Sequence, residues 1–392
     1  MRILFLHEVN YLTKPIFEMH EFPEELAALG HDVGFVHFPE SFGAEPAGDL
    51  QWVEQVPGRT RSNVSLRLYT PRMITTGLLG RLMAAAVFPN QFSRVLRDFR
   101  PDVVVSYAVP TSGWQALHLC QKRNIPYVFR ALDVSHKIRK SVFSALIKRA
   151  ETFVYTNASW VSANNAAMRE YCMSMGASEE KSSVELPPLN FEHFDRSVTL
   201  DVREMLGIAK DAKVALYMGS FFYFSGLSAV LRSYASSRKQ GEVLVLVGGG
   251  EQELELKSLV RELDISSCVY FTGFVSFDQL PSYLAAADVA FNSMEPSLVS
   301  NAAFPNKVIQ YMAAGLPIVS TNLAGLAKTF DETVGLRYVV APEDIYAEVQ
   351  KLFRSRDLAE LGMSNRSLAS TTFSMEGAVA DFEKRIVLVR GQ

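Results

Sequence analysis

The chain of 392 residues is short of cysteine: there are three, Cys120, Cys172 and Cys268, far apart along the sequence. An odd number at no metal-like spacing excludes a disulfide framework and a zinc ribbon, and it suits a reducing compartment. Surplus charge is lacking too, since 39 basic residues stand against 42 acidic ones for a net −3. That balance gives no global support to a nucleic-acid partner. No apolar run approaches the roughly 18 residues that a membrane span needs. The opening MRILFLHEVN is interrupted by His7 and Glu8 after about six residues, too few for a secretory core. Histidine disappears from the second half, all seven lying at or before His193. Short repeats and low-complexity tracts are absent. These absences lead to the expectation of a soluble, cytoplasmic chain.

What is present is alternation. Short apolar runs rich in β-branched residues recur: RILFLH from Arg2, DVGFVHF from Asp32, DVVVSY from Asp102 and PYVFR from Pro126. A second series follows: VALYMG from Val214, VLVLVG from Val243, CVYFTG from Cys268, DVAFNS from Asp288 and PIVS from Pro317. Nearly continuous apolar strands separated by amphipathic helices are what a parallel sheet covered on both faces requires. The pattern reads as α/β twice over, and the length suits two domains of roughly 150–200 residues. Paired prolines in VELPPLNFEHFDRSVTLD, Val184 to Asp201, interrupt the alternation between the halves. The end, FSMEGAVADFEKRIVLVRGQ, reads as a helix with Val379, Phe382 and Ile386 on one face.

From Arg59 to Arg100 the composition shifts to many arginines, one acid (Asp98) and an apolar middle. Two readings stand: an amphipathic surface for anionic lipid headgroups, or a buried crossover helix with solvated arginines at its ends.

FPNKVIQYMAAGLPIVS, Phe304 to Ser320, carries the most chemistry. It follows the strand DVAFNS, so its helix begins at the carboxyl edge of the sheet, where open α/β sheets bind ligands. Pro305 suits the first helical position, while Phe304 offers no side-chain acceptor as a cap. The first-turn N–H groups are thereby left for an anion. Lys307 in that turn opposes the helix dipole, an arrangement that invites the same anion. Gln310 shares its face and suits a ribose diol, and Ala314 leaves room. The alternative is a lysine that snorkels from a core helix. In VLVLVGGGEQELEL, Gly248-Gly249-Gly250 lacks the third spaced glycine of a dinucleotide fingerprint, and Glu251 and Glu253 would repel a pyrophosphate. A tight turn near the ligand is the better reading.

VYFTGFVSFDQLPSYLAAADVAFNS followed by FPNKVIQYMAAGLPIVST resembles the nucleotide-binding half of glycosyltransferase family 4. ALYMGSFFYFSGLSAVLRSY, VLVLVGGGEQELELKSLVREL, LAALGHDVGFVHF and RPDVVVSY extend the likeness over most of the chain. The resemblance implies a GT-B fold: two Rossmann-like domains facing across a cleft, residues 1–190 for the acceptor and 191–372 for the nucleotide sugar, with 373–392 a helix crossing back to the first. It implies that Gly219 and Gly226 border the donor diphosphate, beside the tight turn already read at Gly249. It places Gly273, Phe274 and Val275 beside the base. Asn306 and Lys307 then form the phosphate-facing helix start, and Gln310 sits where the family has its ribose-binding Glu.

The chain also departs from the family pattern. The pair of glutamates with seven residues between them falls on Ala302 and Gln310, the diphosphate-binding Arg and Lys fall on Ser220 and Ser225, and HEVNYLTKPIF lacks the glycine pair after the first strand. Lys307 partly replaces the lost charge, and Ser225 at a helix start can still bond a phosphate oxygen. Asp133 in FRALDVSH corresponds to an acceptor-side aspartate, with Arg130, His136 and Tyr107 near it in motif terms; His7 is either packed or catalytic. No Asp-x-Asp occurs, which fits GT-B enzymes that need no metal. The expectation is a retaining glycosyltransferase with no bound cofactor. It would use a UDP- or GDP-sugar on a lipid-linked or polysaccharide-precursor acceptor, peripheral at the inner face of the cytoplasmic membrane. The rivals are a catalytically weak GT-B nucleotide binder and a nucleotide-sugar epimerase or phosphorylase of this architecture.

Overall fold

The computed structural model describes residues 1–38, 52–71, 77–107, 112–138, 143–195, 198–330 and 335–391, with the side chains of 77–81 excepted. It divides into two units, Met1–Pro188 with Met375–Gln392, and Leu189–Ser374.

The first unit is built on an eight-stranded sheet. Its strands are β1 (Arg2–Leu6), β2 (Asp32–Val36), β3 (Val53–Pro57), β4 (Ser65–Tyr69), β5 (Val103–Ser106), β6 (Tyr127–Ala131), β7 (Trp160–Ala163) and β8 (Ser182–Val184). The spatial order is β3-β4-β2-β1-β5-β6-β7-β8. All pairings are parallel except β3 with β4, so β3 is an antiparallel edge. Strands β1, β2, β5 and β6 are almost wholly buried, as helices on both faces of a parallel sheet require. Helix Glu18–Ala28 brings Phe22 and Leu26 into the core beside Ile3, Phe5, Phe35 and Val105. The helix Met375–Arg390 adds Val379, Phe382, Ile386 and Val389 to that core. Phe382 stacks at a tilt on Phe22, with centroids 4.4 Å apart.

The second unit has a six-stranded parallel sheet: β9 (Lys213–Met218), β10 (Glu242–Val247), β11 (Val269–Gly273), β12 (Val289–Asn292), β13 (Ile318–Thr321) and β14 (Leu336–Val339). The order is β11-β10-β9-β12-β13-β14, so the direction of winding reverses at β9.

Five strands were not marked by the apolar-run criterion: β3, β4, β7, β8 and β14. Each is short or polar, as VEQVP and SSV show, and their pairing partners supply the order that their own sequences do not. Among the described residues, the segment from Arg59 to Arg100 holds a turn, strand β4 and the crossover helix Gly77–Phe99. Helix Asn306–Ala313 starts one residue later than the proline rule suggests, with Pro305 as its cap. All three cysteines are free and buried. Among the described residues, no helix is long and apolar enough to cross a membrane.

Candidate functional site

In the second unit the polar groups gather where β9 meets β12, the switch point of the sheet. Gly219 follows β9 with φ +134°, a backbone conformation that side chains disfavour. A Cβ there would lie 3.1 Å from Lys307 Nζ, so the glycine leaves room for the lysine. Lys307 lies over the Tyr217 ring, Nζ 4.0 Å from its centroid, and donates to the Tyr217 hydroxyl at 2.8 Å. That hydroxyl donates in turn to the Ser220 carbonyl at 3.2 Å. One turn further along the helix, the Tyr311 hydroxyl accepts the Met218 N–H at 2.7 Å. Strand, turn and helix start are thus pinned by two tyrosines.

Lys307 has no carboxylate partner among the described residues. Burial without a counter-charge lowers its pKa to about 7. An anion arriving beside it would pair with the ammonium and return its pKa upward. Beside it, Asn306 Oδ1 is buried with no partner, and the half-buried Gln310 side chain makes no hydrogen bond to the described residues. The helix start therefore offers one lysine without a counter-charge and, at Gln310, one uncommitted amide, while the Asn306 oxygen is sealed.

The neighbouring turns are laced by backbone bonds. Gly219 N–H donates to Val247 O and Phe221 N–H to Gly249 O, both at 2.9 Å, and Gly248 N–H donates to Gly273 O at 2.9 Å. Gly249 and Gly273 thus hold the turns together, which is the tight-turn reading of the triple glycine. Phe274 beside them is 72% exposed, a free aromatic face against Gly249, whose own Cβ position would lie 3.1 Å from the ring. Val275 is half-buried. Glu251 accepts the Tyr223 N–H at 3.1 Å, so this acid holds the aromatic turn rather than standing idle at an anion site.

Ser225 and Gly226 are differently placed from the expectation. The Ser225 hydroxyl is sealed inside the unit with no partner, and its carbonyl accepts from Ser293 Oγ at 2.7 Å. Gly226 has φ +68°, and a Cβ there would fall 2.0 Å from the Ser293 carbonyl. Both residues serve a close approach of backbone to the segment after β12, which leaves Ser225 Oγ closed to a phosphate oxygen.

In the first unit the switch point is β1, flanked by β2 and β5. Register places Leu6 beside Ser106 and Ser106 beside Phe129, so His7, Tyr107 and Arg130 form a row at the carboxyl edge. His7 stacks on Tyr107 with centroids 5.3 Å apart. His7 Nδ1 and Tyr107 Oη are both sealed and unpartnered. Burial, with Lys14 and His20 adding to it, lowers the His7 pKa to about 3, so the ring is neutral.

Arg130 overturns its assignment as a catalytic contact. It is fully buried, and its guanidinium grips Glu18 with Nε to Oε1 at 2.7 Å and Nη2 to Oε2 at 2.8 Å. Nη1 donates to Ser162 Oγ and to the carbonyls of Ala163 and Glu185. Phe22 and Phe382 flank the same group. No face of it is left for a substrate.

Asp133 and His136 do stand together, just beyond β6. Asp133 Oδ1 accepts weakly from Ser135 Oγ at 3.4 Å, and burial, helped by Glu151, raises its pKa to about 6. His136 Nδ1 lies 2.5 Å from Glu151 Oε2. The tyrosines 217 and 311 and the glutamates 18 and 151 were not singled out from sequence. Each acts through a partner at least 15 residues away, and no local pattern announces such pairs. Among the described residues, no three His, Cys, Asp or Glu side chains converge as a metal site would need.

Two α/β units, each with its polar groups gathered at the switch point of a largely parallel sheet, define the GT-B class of fold. The family described as "Glycosyl transferase 4-like domain" matches residues 18–184, and "Glycosyl transferases group 1" matches residues 212–355. The chain belongs to the group 1, family-4-type glycosyltransferases. It is 22% identical over 389 residues to WcaI of Escherichia coli K12, a glycosyl transferase provisionally assigned to colanic acid biosynthesis, covering 92% of this chain and 93% of that one. The first curated relatives are matched over about half of their length. Among solved structures, sucrose-phosphate synthase of Thermosynechococcus elongatus superposes with a TM-score of 0.79 at 16% identity, covering 98% and 97% of the two chains. Anabaena Alr3699/HepE, solved in complex with UDP, gives 0.74 at 16% identity, covering 98% and 99%.

Proposed function

We propose that this protein transfers a sugar from a UDP- or GDP-sugar to a glycan or lipid-linked acceptor, with retention at the anomeric carbon. The observation that carries the reading is Lys307, a half-buried lysine without a counter-charge, held by Tyr217 against Gly219 at the start of a helix. A nucleoside diphosphate supplies the missing charge, and as the leaving group it gains charge during transfer, so the same contact strengthens in the transition state. Lys307 meets the phosphates, Gln310 suits the ribose, and the open face of Phe274 suits a base. In the reaction the acceptor oxygen bonds to the anomeric carbon as the bond from that carbon to the phosphate oxygen breaks. The hydroxyl proton ends on the departing diphosphate or on solvent. The acceptor belongs with the first unit, near Asp133 and His136. We place the work at the inner face of the cytoplasmic membrane, on the strength of exposed Leu82, Met83 and Val87 in a segment rich in arginine. The UDP complex of the Anabaena protein and the polysaccharide role assigned to the E. coli relative favour the same donor and acceptor classes.

A second reading has its own observation. Ala302, where the family carries a carboxylate, is buried, and no cation stands at Ser220 or Ser225, which suits a nucleotide binder of low turnover.

Thermal unfolding in the presence of UDP, GDP, ADP, CMP and their sugars tests the donor site. A nucleotide-selective stabilisation is expected, with the Lys307→Ala protein folded but binding roughly 10–100-fold more weakly, the scale of a lost charge-assisted hydrogen bond. Equal affinity in the variant would remove Lys307 from the site. Donor turnover without binding selectivity would remove the UDP or GDP preference, and binding without turnover would favour the second reading.

A further inference from the structure

Glu151 belongs to helix Ser144–Asn157 and is fully buried. One of its oxygens, Oε2, meets His136 Nδ1 at 2.5 Å, and the other, Oε1, is sealed with no partner. Tyr171 Oη also reaches His136 Nδ1, at 3.3 Å. The remaining polar atom of the ring, Nε2, has no hydrogen-bond partner among the described residues and is not among the sealed orphans. The His136 side chain is 6% exposed, and a buried carboxylate on one nitrogen of its imidazole, with the other nitrogen unpaired, fixes what the unpaired nitrogen can do.

The logic follows from counting one proton. With the pair deprotonated, Glu151 is a carboxylate that accepts Nδ1–H, and Nε2 carries a lone pair. Adding a proton gives either an imidazolium or a protonated Glu151 that donates to Nδ1, and in both forms Nε2 carries hydrogen. The open nitrogen therefore changes from acceptor to donor with the protonation of the pair, whichever atom holds the proton. Resting on the transferase reading above, we propose that Glu151 and His136 form one proton-sharing pair that presents His136 Nε2 to the acceptor substrate as the hydrogen-bond acceptor for its attacking hydroxyl. Glu151 is the positioning residue and His136 the one that touches substrate. The pair orients the hydroxyl, whose proton then leaves with the diphosphate or to solvent as the new bond to the anomeric carbon forms.

The surroundings set where the pair titrates. Burial raises the Glu151 pKa to about 7, against the amides of Ser135 and His136, the Tyr171 hydroxyl and Lys148. Burial, Lys137 and Lys148 lower that of His136. Tyr155 and Tyr171 face the carboxylate as neutral phenols, pushed up by burial, and Cys172 is a thiol pushed up to about 12. Asp133 is the other carboxyl in the cluster and itself feels Lys14. The switch therefore falls near neutrality: Nε2 accepts above the pair's titration and donates below it.

Histidine-selective 15N NMR, with His136 assigned by the signal lost in His136→Gln, tests the pair without requiring turnover. Nε2 is expected to be unprotonated above neutral pH and protonated below it. In Glu151→Gln that single transition should move or vanish, while in Asp133→Asn it should persist. The use of the pair is tested by kcat/KM for the acceptor. It should fall about tenfold per pH unit below the same midpoint, with a Glu151→Gln loss of about 10–100-fold, as for other partners that orient a functional imidazole, and partial rescue by Glu151→Asp. Nε2 protonated throughout, or an acceptor kcat/KM indifferent to the titration, overturns the proposal. A correct nitrogen titration in a protein that binds no nucleotide would instead strike the donor reading while confirming the pair.

Discussion

Arg130 and Lys307 show how much a single residue's role depends on its partner. Both are cations next to sequence motifs, and by position along the chain Arg130 is the nearer to a candidate catalytic group. Its partner Glu18 is 112 residues away, on a helix whose acidic first turn suits the positive end of the dipole. No local spacing reveals that pairing, so the sequence could not tell a catalytic arginine from a buried strut. Lys307 could be singled out because the reasons for doing so are local: a cation in a first helical turn, behind a residue that cannot cap. What sequence could not show is Tyr217, whose ring and hydroxyl hold the ammonium. Replacing Arg130 by Met removes one partner of a fully buried pair and leaves Glu18 charged. A loss of roughly 3–5 kcal/mol is expected, measured by urea unfolding. The double replacement Arg130→Met with Glu18→Gln should recover part of it. Nucleotide affinity should be unchanged in the folded fraction; a variant of native stability with lost transfer would return Arg130 to the catalytic list.

Helix Gly77–Phe99 settles at the level of an element what its composition left open, because its two ends face different surroundings. Phe88, Phe92, Val95, Leu96 and Phe99 are buried, the behaviour of a crossover helix from β4 to β5. Leu82, Met83 and Val87 are exposed at 52%, 57% and 37%, with Met83 and Val87 four apart on one face and Leu82 at its edge. Toward the far end Arg94 stacks on Trp52, 4.6 Å from the ring centroid. The core end was legible from its aromatic periodicity. The exposed end was not, since an apolar residue looks the same in sequence whether it meets a core or a lipid. Strands β3, β8 and β14 stayed hidden for the converse reason, because order in a short polar strand comes from its neighbour's hydrogen bonds. If the exposed turn meets a membrane, vesicles rich in anionic lipid should pellet the protein at low salt and release it as salt rises. Leu82→Ser with Met83→Ser should weaken pelleting even at low salt. Protein that stays in the supernatant at low salt would remove the lipid surface from the proposed function.

At the scale of the whole molecule, two sheets were legible because parallel strands buried on both faces are apolar throughout, and VALYMG or VLVLVG needs no partner to be recognised. The return of the last helix to the first unit was legible only through family likeness. Its apolar face, Val379, Phe382 and Ile386, says that it is buried but not against what. In the structure those residues complete the core around Phe22 and Val105, while the residues proposed for the donor all lie within Leu189–Ser374. Each unit therefore has its own core, and unfolding need not be a single cooperative step. A nucleotide that contacts only the second unit stabilises that unit by about 2.7 kcal/mol at a hundredfold excess over Kd. Hydrogen exchange with saturating UDP or GDP should then slow the amides of 217–226, 248–252 and 306–311, together with the rest of β9 and β10, which share their opening. The amides of β1, β5 and helix Met375–Arg390 should exchange as before. Equal protection in both units would mean that the nucleotide also engages the first, and protection confined to the first would place the donor site at His7 and Tyr107 instead of Lys307.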